Sequence, residues 1–125
     1  FWTKEVARIE DGILKVTLPP LTGRHYALHE DPGTPLVLGT DFHLSMGSVE
    51  IANVRWDQRN KTFSGMIKRP DTETGHIYIW VSDKFKINET KATGGRIHSS
   101  GNVVSLEMKV SSDPVPWQIN LVVSP

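Results

Sequence analysis

Tyr78 and Trp80 stand two residues apart in the run HIYIWVS, with His76 one step earlier. Alternate residues of an extended strand share a face, so the Cα atoms of Tyr78 and Trp80 lie roughly 7 Å apart on one side. Flat aromatic rings at that spacing suit sugar rings, whose C–H bonds stack on the π face while the ring edge stays hydrated. Tyr78, Trp80 and His76 are therefore the expected ligand-binding residues, and carbohydrate the expected ligand. The same residues have a competing use. Large aromatics are the main filling of a β-sandwich core, and this face could equally be covered by an N-terminal hairpin carrying Trp2. Trp56 and Trp117 read as core.

Other residue types capable of chemistry are present without the spacing it needs. His25 and His29 would share a helix face, but on a strand they are some 13 Å apart, so they read as surface histidines and no metal site is expected. Asp71 and Glu73 in RPDTETG offer oxygen ligands of the kind calcium takes, yet the twelve-residue EF-hand pattern is absent. An ordinary hairpin loop is the expectation there. Asp31, Asp41 and Asp57 fall in turns, where a carboxylate commonly bonds its own backbone. Glycoside hydrolysis needs two acids held roughly 5–10 Å apart, and nothing singles out a pair among the fourteen acids. No G-x-S-x-G elbow is found, nor a glycine-rich phosphate loop. The reading is of a chain with no catalytic residue and no cofactor. Asn60-Lys61-Thr62 and Asn88-Glu89-Thr90 match the short glycosylation acceptor pattern.

The 125 residues bound the remaining possibilities. They suffice for one domain with a core that needs no staples. Without cysteine there is no disulfide framework and no thiolate zinc site, which fits a cytosolic chain and equally a secreted or periplasmic one that does not rely on disulfides. Fourteen basic residues cancel fourteen acidic ones, so no basic surplus points to a nucleic-acid partner. No apolar run reaches the roughly 18–20 residues of a membrane helix. The start at Phe1 reads as a piece excised from a longer protein.

The elements that must position the aromatic strip are strands. Residues 48–81 read as three in succession, SVEIANVRW, KTFSGMIKR and HIYIWVS, separated by Asp57–Asn60 and Pro70–Gly75, the pattern of an antiparallel meander. Within the first, the apolar phase slips between Ile51 and Val54, which predicts a bulge near Ala52-Asn53. Earlier, Asp11-Gly12 predicts a type I′ hairpin over Val6–Leu18, stopped by Pro19-Pro20, and RHYALHE alternates as another strand. Later, Phe85 and Ile87 alternate, Arg96–His98 is a short strand, Val104–Val110 alternates most regularly, and Trp117, Ile119, Leu121 and Val123 supply one face of the last strand. With Leu36–Leu38 and a further strand or irregular link over Phe42–Met46, the count is about nine or ten strands and no helix. That predicts an all-β, antiparallel β-sandwich, immunoglobulin-like or jelly-roll-like, with residues 1–125 one domain and 1–30 a hairpin from a preceding module packed on it.

The run Leu18-Pro19-Pro20-Leu21-Thr22-Gly23-Arg24-His25-Tyr26-Ala27-Leu28 resembles the closing strands of the C-terminal β-sandwich domains of glycoside hydrolases. There a strand ends in a leucine–proline step and returns through a small residue into a final alternating strand. The likeness covers eleven of 125 residues, and in those families the stretch ends the domain rather than beginning it. The later stretch from Val49 to Asp83 is similar in rhythm to accessory β domains that follow a catalytic barrel. The resemblance implies a non-catalytic accessory module of a carbohydrate-active protein, packed on a catalytic domain and contacting sugar weakly. The alternative expectation is an immunoglobulin-like protein-interaction or adhesion module, and a third is a small hydrolase with an unrecognised acid pair.

Overall fold

Alternation of apolar and polar residues becomes two layers of strands in the computed structural model, which describes residues 6–42, 50–88 and 92–125. Eight strands are formed among the described residues: β1 (Leu36–Thr40), β2 (Ile51–Asp57), β3 (Thr62–Ile67), β4 (Glu73–Trp80), β5 (Phe85–Ile87), β6 (Gly95–Ser100), β7 (Val103–Val110) and β8 (Val115–Val123). No helix occurs among those residues. The strands pair antiparallel in two four-stranded sheets, ordered β1-β4-β7-β6 and β2-β3-β8-β5.

The core follows from the period of two. Ile77 and Ile79 of β4 and Val104, Leu106, Met108 and Val110 of β7 point inward from the first sheet. Phe63 and Ile67 of β3 and Trp117, Ile119 and Leu121 of β8 answer them from the second, and all belong to one buried cluster. Each such side chain contributes about 1.5–3 kcal/mol by leaving water. The two central strands of each sheet thus supply most of the core. Trp56 of β2 and Phe85 of β5 sit on opposite edge strands, yet their rings meet edge-to-face at 5.3 Å. The second sheet must curl for this to happen, although it does not close.

Several local expectations hold. The bulge forms where the apolar phase slips: the β2–β3 register shifts between Ala52 and Arg55, and Asn53 takes a φ of 55°, a conformation asparagine tolerates better than most residues. Asp11 and Gly12 both have positive φ, as a type I′ turn requires. The hairpin around them is reduced to one bridge between Glu10 and Ile13. RHYALHE enters neither sheet. A two-stranded hairpin is marginal in water unless a further strand supports it, and these arms join no sheet. The count of nine or ten is corrected to eight chiefly for this reason. The strand or link expected over Phe42–Met46 falls largely outside the described residues; Phe42 itself is fully buried in the core.

A second correction concerns residues 48–81. β2 and β3 do form a hairpin, but β4 leaves for the other sheet. Arg69 anchors the crossing. Its Nε donates to Glu73 Oε1 at 2.5 Å, its Nη1 lies 3.7 Å from Glu50 Oε1, and its backbone N–H donates to Ser111 O. Glu50 and the Arg69 side chain are both largely buried, so each would be a costly lone charge without the other.

The β2–β3 turn is fastened by Asp57, whose Oδ1 accepts from the backbone N–H groups of Arg59 and Asn60 at 2.9 and 3.0 Å. The backbone donor of Asn60, then its side-chain amide, holds the Asp57 carboxyl below its ordinary value of 3.8. A carboxylate with a depressed folded-state pKa stabilises fully above its unfolded value and loses that contribution as pH falls through the folded one. The gap in thermal midpoint between this chain and Asp57→Ala should therefore be constant from neutral pH to about pH 4 and narrow below it. Circular dichroism melts across pH check this, and a gap that widens on acidification would refute it.

Candidate functional site

β4 alternates between two environments. Ile77 and Ile79 are fully buried between the sheets, so His76, Tyr78 and Trp80 point to the opposite side of the first sheet, each half-buried. The aromatic strip is therefore not core filling. It is instead partly roofed by the extended segment 6–31; Trp2, expected to help cover this face, lies outside the described residues. Between that segment and the sheet runs a groove of about 1190 Å³, with Leu36, Leu38, Asp41, Tyr78 and Trp80 on its sheet side. Small-molecule cavities are about 300–1,000 Å³, so this is room for an extended ligand.

Asp41, just beyond the end of β1, organises one end of the strip. Its Oδ1 accepts from the His76 backbone N–H at 2.5 Å, and its Oδ2 lies 2.8 Å from His76 Nδ1 and accepts from Tyr78 OH at 3.1 Å. The Asp41 backbone N–H donates in turn to His76 O. The His76 and Tyr78 rings lie 5.9 Å apart and tilted by 30°. On the far side, His76 Nε2 is 3.5 Å from Glu107 Oε2 of β7, the residue opposite it in the ladder. With Nδ1 donating, the Asp41 carboxylate fixes the orientation of the imidazole. This cluster presents an imidazole, a phenol and two carboxylates beside an aromatic surface. It can exchange hydrogen bonds with the hydroxyl groups of a polar ligand. The far nitrogen of His76 faces a carboxylate rather than a hydroxyl nucleophile.

Arg8 organises the other end. Its guanidinium carbon lies 5.0 Å from the centre of the Trp80 ring, within cation–π range. Its Nη2 donates to both carboxylate oxygens of Asp83 at 3.2 and 3.1 Å and to Asn102 Oδ1 at 3.3 Å. Asn102, in the β6–β7 turn, donates to Asp83 Oδ1 and to Val81 O, and so presets Asp83. The Asn102 amide first, and Arg8 second, hold the Asp83 carboxyl below its ordinary value. Trp80 Nε1 is buried and has no hydrogen-bond partner.

The sequence placed the three strip residues together but missed Asp41, Glu107, Arg8, Asp83 and Asn102. Asp41 was read as bonding its own turn; that description fits Asp31, whose Oδ1 accepts from Gly33 N–H, and Asp57. Asp41 meets His76 across 35 positions, and Arg8 meets Asp83 across 75. No local spacing encodes such contacts. Glu107 alone carried a signal, since with Ser105 and Lys109 it belongs to the polar face of the alternating run VVSLEMKV. His25 and His29 are exposed, and among the described residues no three His, Asp or Glu groups are placed to share a metal ion. No family model, no curated protein and no solved structure matches this chain.

Proposed function

We propose that the chain is a non-catalytic accessory β-sandwich module of a carbohydrate-active protein. Its place is against a catalytic domain, and it contacts a polysaccharide chain through the Tyr78–Trp80 face. The observation that carries this reading is the outward orientation of the strip. Two aromatic rings are withheld from the core and set in a groove of about 1190 Å³, with His76, Asp41 and Glu107 beside them. Apolar ring faces flanked by hydrogen-bonding groups match the two-sided chemistry of a pyranose. Two layers of strands around one core also suit the immunoglobulin-like or jelly-roll-like connectivity such modules use.

Isothermal titration calorimetry against a panel of soluble plant and bacterial polysaccharides tests it. Binding heat is expected with at least one. Trp80→Ala and Tyr78→Ala should each weaken binding at least about tenfold, as truncating aromatic anchors does, with the β-type circular dichroism retained. Absence of heat with every polysaccharide would leave only packing on a catalytic domain.

A second reading, an immunoglobulin-like protein-interaction module, is favoured by one observation. Ile13, Leu21 and Leu28 of segment 6–31 are strongly exposed, and exposed apolar groups mark protein contacts when they cluster. A strict monomer by light scattering, with no partner captured in pull-down, would count against it.

A further inference from the structure

Arg8 contacts Trp80, Asp83 and Asn102 at one end of the groove. Segment 6–31 joins neither sheet, and its own pairing is the single bridge between Glu10 and Ile13. Burial holds it only in part: Ile9, Leu14 and Leu18 keep about 40% of their surface exposed, Leu28 is 70% exposed and Leu21 fully exposed. Against that background Arg8 makes polar and cation–π contacts with the body of the protein. It covers the indole of Trp80, and its Nη2 reaches Asp83 and Asn102. The face on which a sugar would stack is already occupied.

We propose that Arg8 is a latch that holds segment 6–31 closed over Trp80, so that the groove admits a ligand only when the guanidinium leaves the indole. This rests on the carbohydrate-binding reading for the identity of the ligand, but not for the latch itself. Three features make the closed state easy to leave. The ion pair is exposed, with Arg8 and Asp83 side chains 51% and 73% accessible, and exposed pairs are weak. The indole N–H buried in the closed state has no acceptor, an unmade hydrogen bond that a ligand oxygen could supply once the segment lifts. Finally, no sheet ladder has to break. The apparent affinity of a site that is open only part of the time is reduced by the open fraction. The exposed pair and the cation–π contact together are worth about 1 kcal/mol, so removing the latch should tighten binding about 3- to 10-fold.

The absence of cysteine gives a direct reporter. Leu38→Cys places one thiol in the groove, and its rate of reaction with a disulfide reagent reads opening without any ligand. Adding Arg8→Ala should speed labelling about 3- to 10-fold. Asp83→Asn should do nearly as much, and Arg8→Lys less, because a lysine keeps the charge but stacks poorly. Raising salt from low to molar should speed labelling of the Leu38→Cys protein itself, with no further substitution. Labelling rates unchanged within twofold across these conditions would overturn the latch. Calorimetry on the same Arg8→Ala substitution then separates the two ideas. Tighter polysaccharide binding by the same factor supports control of the site, and faster labelling with unchanged affinity overturns that control. Faster labelling with no binding by either protein discards the carbohydrate reading and leaves the latch standing.

Discussion

Trp117→Ala should lower unfolding free energy by about 3–5 kcal/mol and the thermal midpoint by roughly 10–20 °C. Trp117 is 1% exposed and is the largest fully buried side chain among the described residues. Its ring meets Phe63 edge-to-face at 5.4 Å and lies over Gly65, its partner across the β3–β8 ladder. A Cβ at Gly65 would come within 2.7 Å of the indole, so the glycine is the seat for the ring. Alanine would leave both the seat and the Phe63 edge without a neighbour, and a cavity between two sheets cannot collapse without moving a whole ladder. The loss is a large part of the 5–15 kcal/mol that holds a domain of this size. Trp117→Phe should behave differently. It keeps the edge contact and deletes Nε1–H, which is buried without an acceptor and costs about 1–3 kcal/mol as it stands. The two effects oppose, and the phenylalanine variant should lie within about 2 kcal/mol of the parent. Urea unfolding of the three proteins measures this. An alanine variant that loses under about 1 kcal/mol would mean that the two sheets do not share the core described.

Gly75→Ala should damage the core and the candidate site together. A Cβ there would stand 2.5 Å from Phe42 Cε1 and 2.8 Å from Asp41 Oδ1. Phe42 is fully buried and has nowhere to go, whereas the Asp41 side chain can swing away from β4. The expected outcome is a loss of about 1–3 kcal/mol from overpacking, together with rupture of the Asp41–His76 contact. Nuclear magnetic resonance of the imidazole should show His76 shifted toward the spectrum it has in Asp41→Asn. That second variant removes the carboxylate without touching Phe42, so it should reproduce the shift with a smaller loss of stability. A Gly75→Ala protein as stable as the parent, with an unmoved His76 signal, would refute the coupling.

What the sequence disclosed of this structure depends on how far apart the interacting residues are. In β7 and β8 the alternation of Val104, Leu106, Met108 and Val110, and of Trp117, Ile119 and Leu121, is both a local pattern and the actual burial. The bulge at Asn53 and the positive φ values at Asp11-Gly12 were legible for the same reason, since turn chemistry is written in two or three adjacent residues. Partner choice is not local. A period of two says that His76, Tyr78 and Trp80 share a face, but not whether that face looks into the core, and nothing in Pro70–Gly75 distinguishes a hairpin from a crossing between sheets. The candidate site fails to show for this reason: Asp41 and Arg8 reach the strip through the topology of the whole chain. The N-terminal run shows the opposite limit. Leu14, Val16 and Leu18 alternate as well as many strands do, yet alternation needs a neighbouring edge before it becomes a ladder.

The order of strands in the two sheets also bears on how quickly the chain finds its shape. Only two of the ladders, β2 with β3 and β6 with β7, join neighbours in the chain. β3 must find β8, where Thr62 and Asn120 meet across 58 positions, and β4 must find both β1 and β7. Each of those encounters closes a long loop before any contact rewards it. Chains built this way assemble on the millisecond-to-second scale rather than in microseconds. The rate is set by the distant pairings in the middle of each sheet, and the two short hairpins can form early without hastening them.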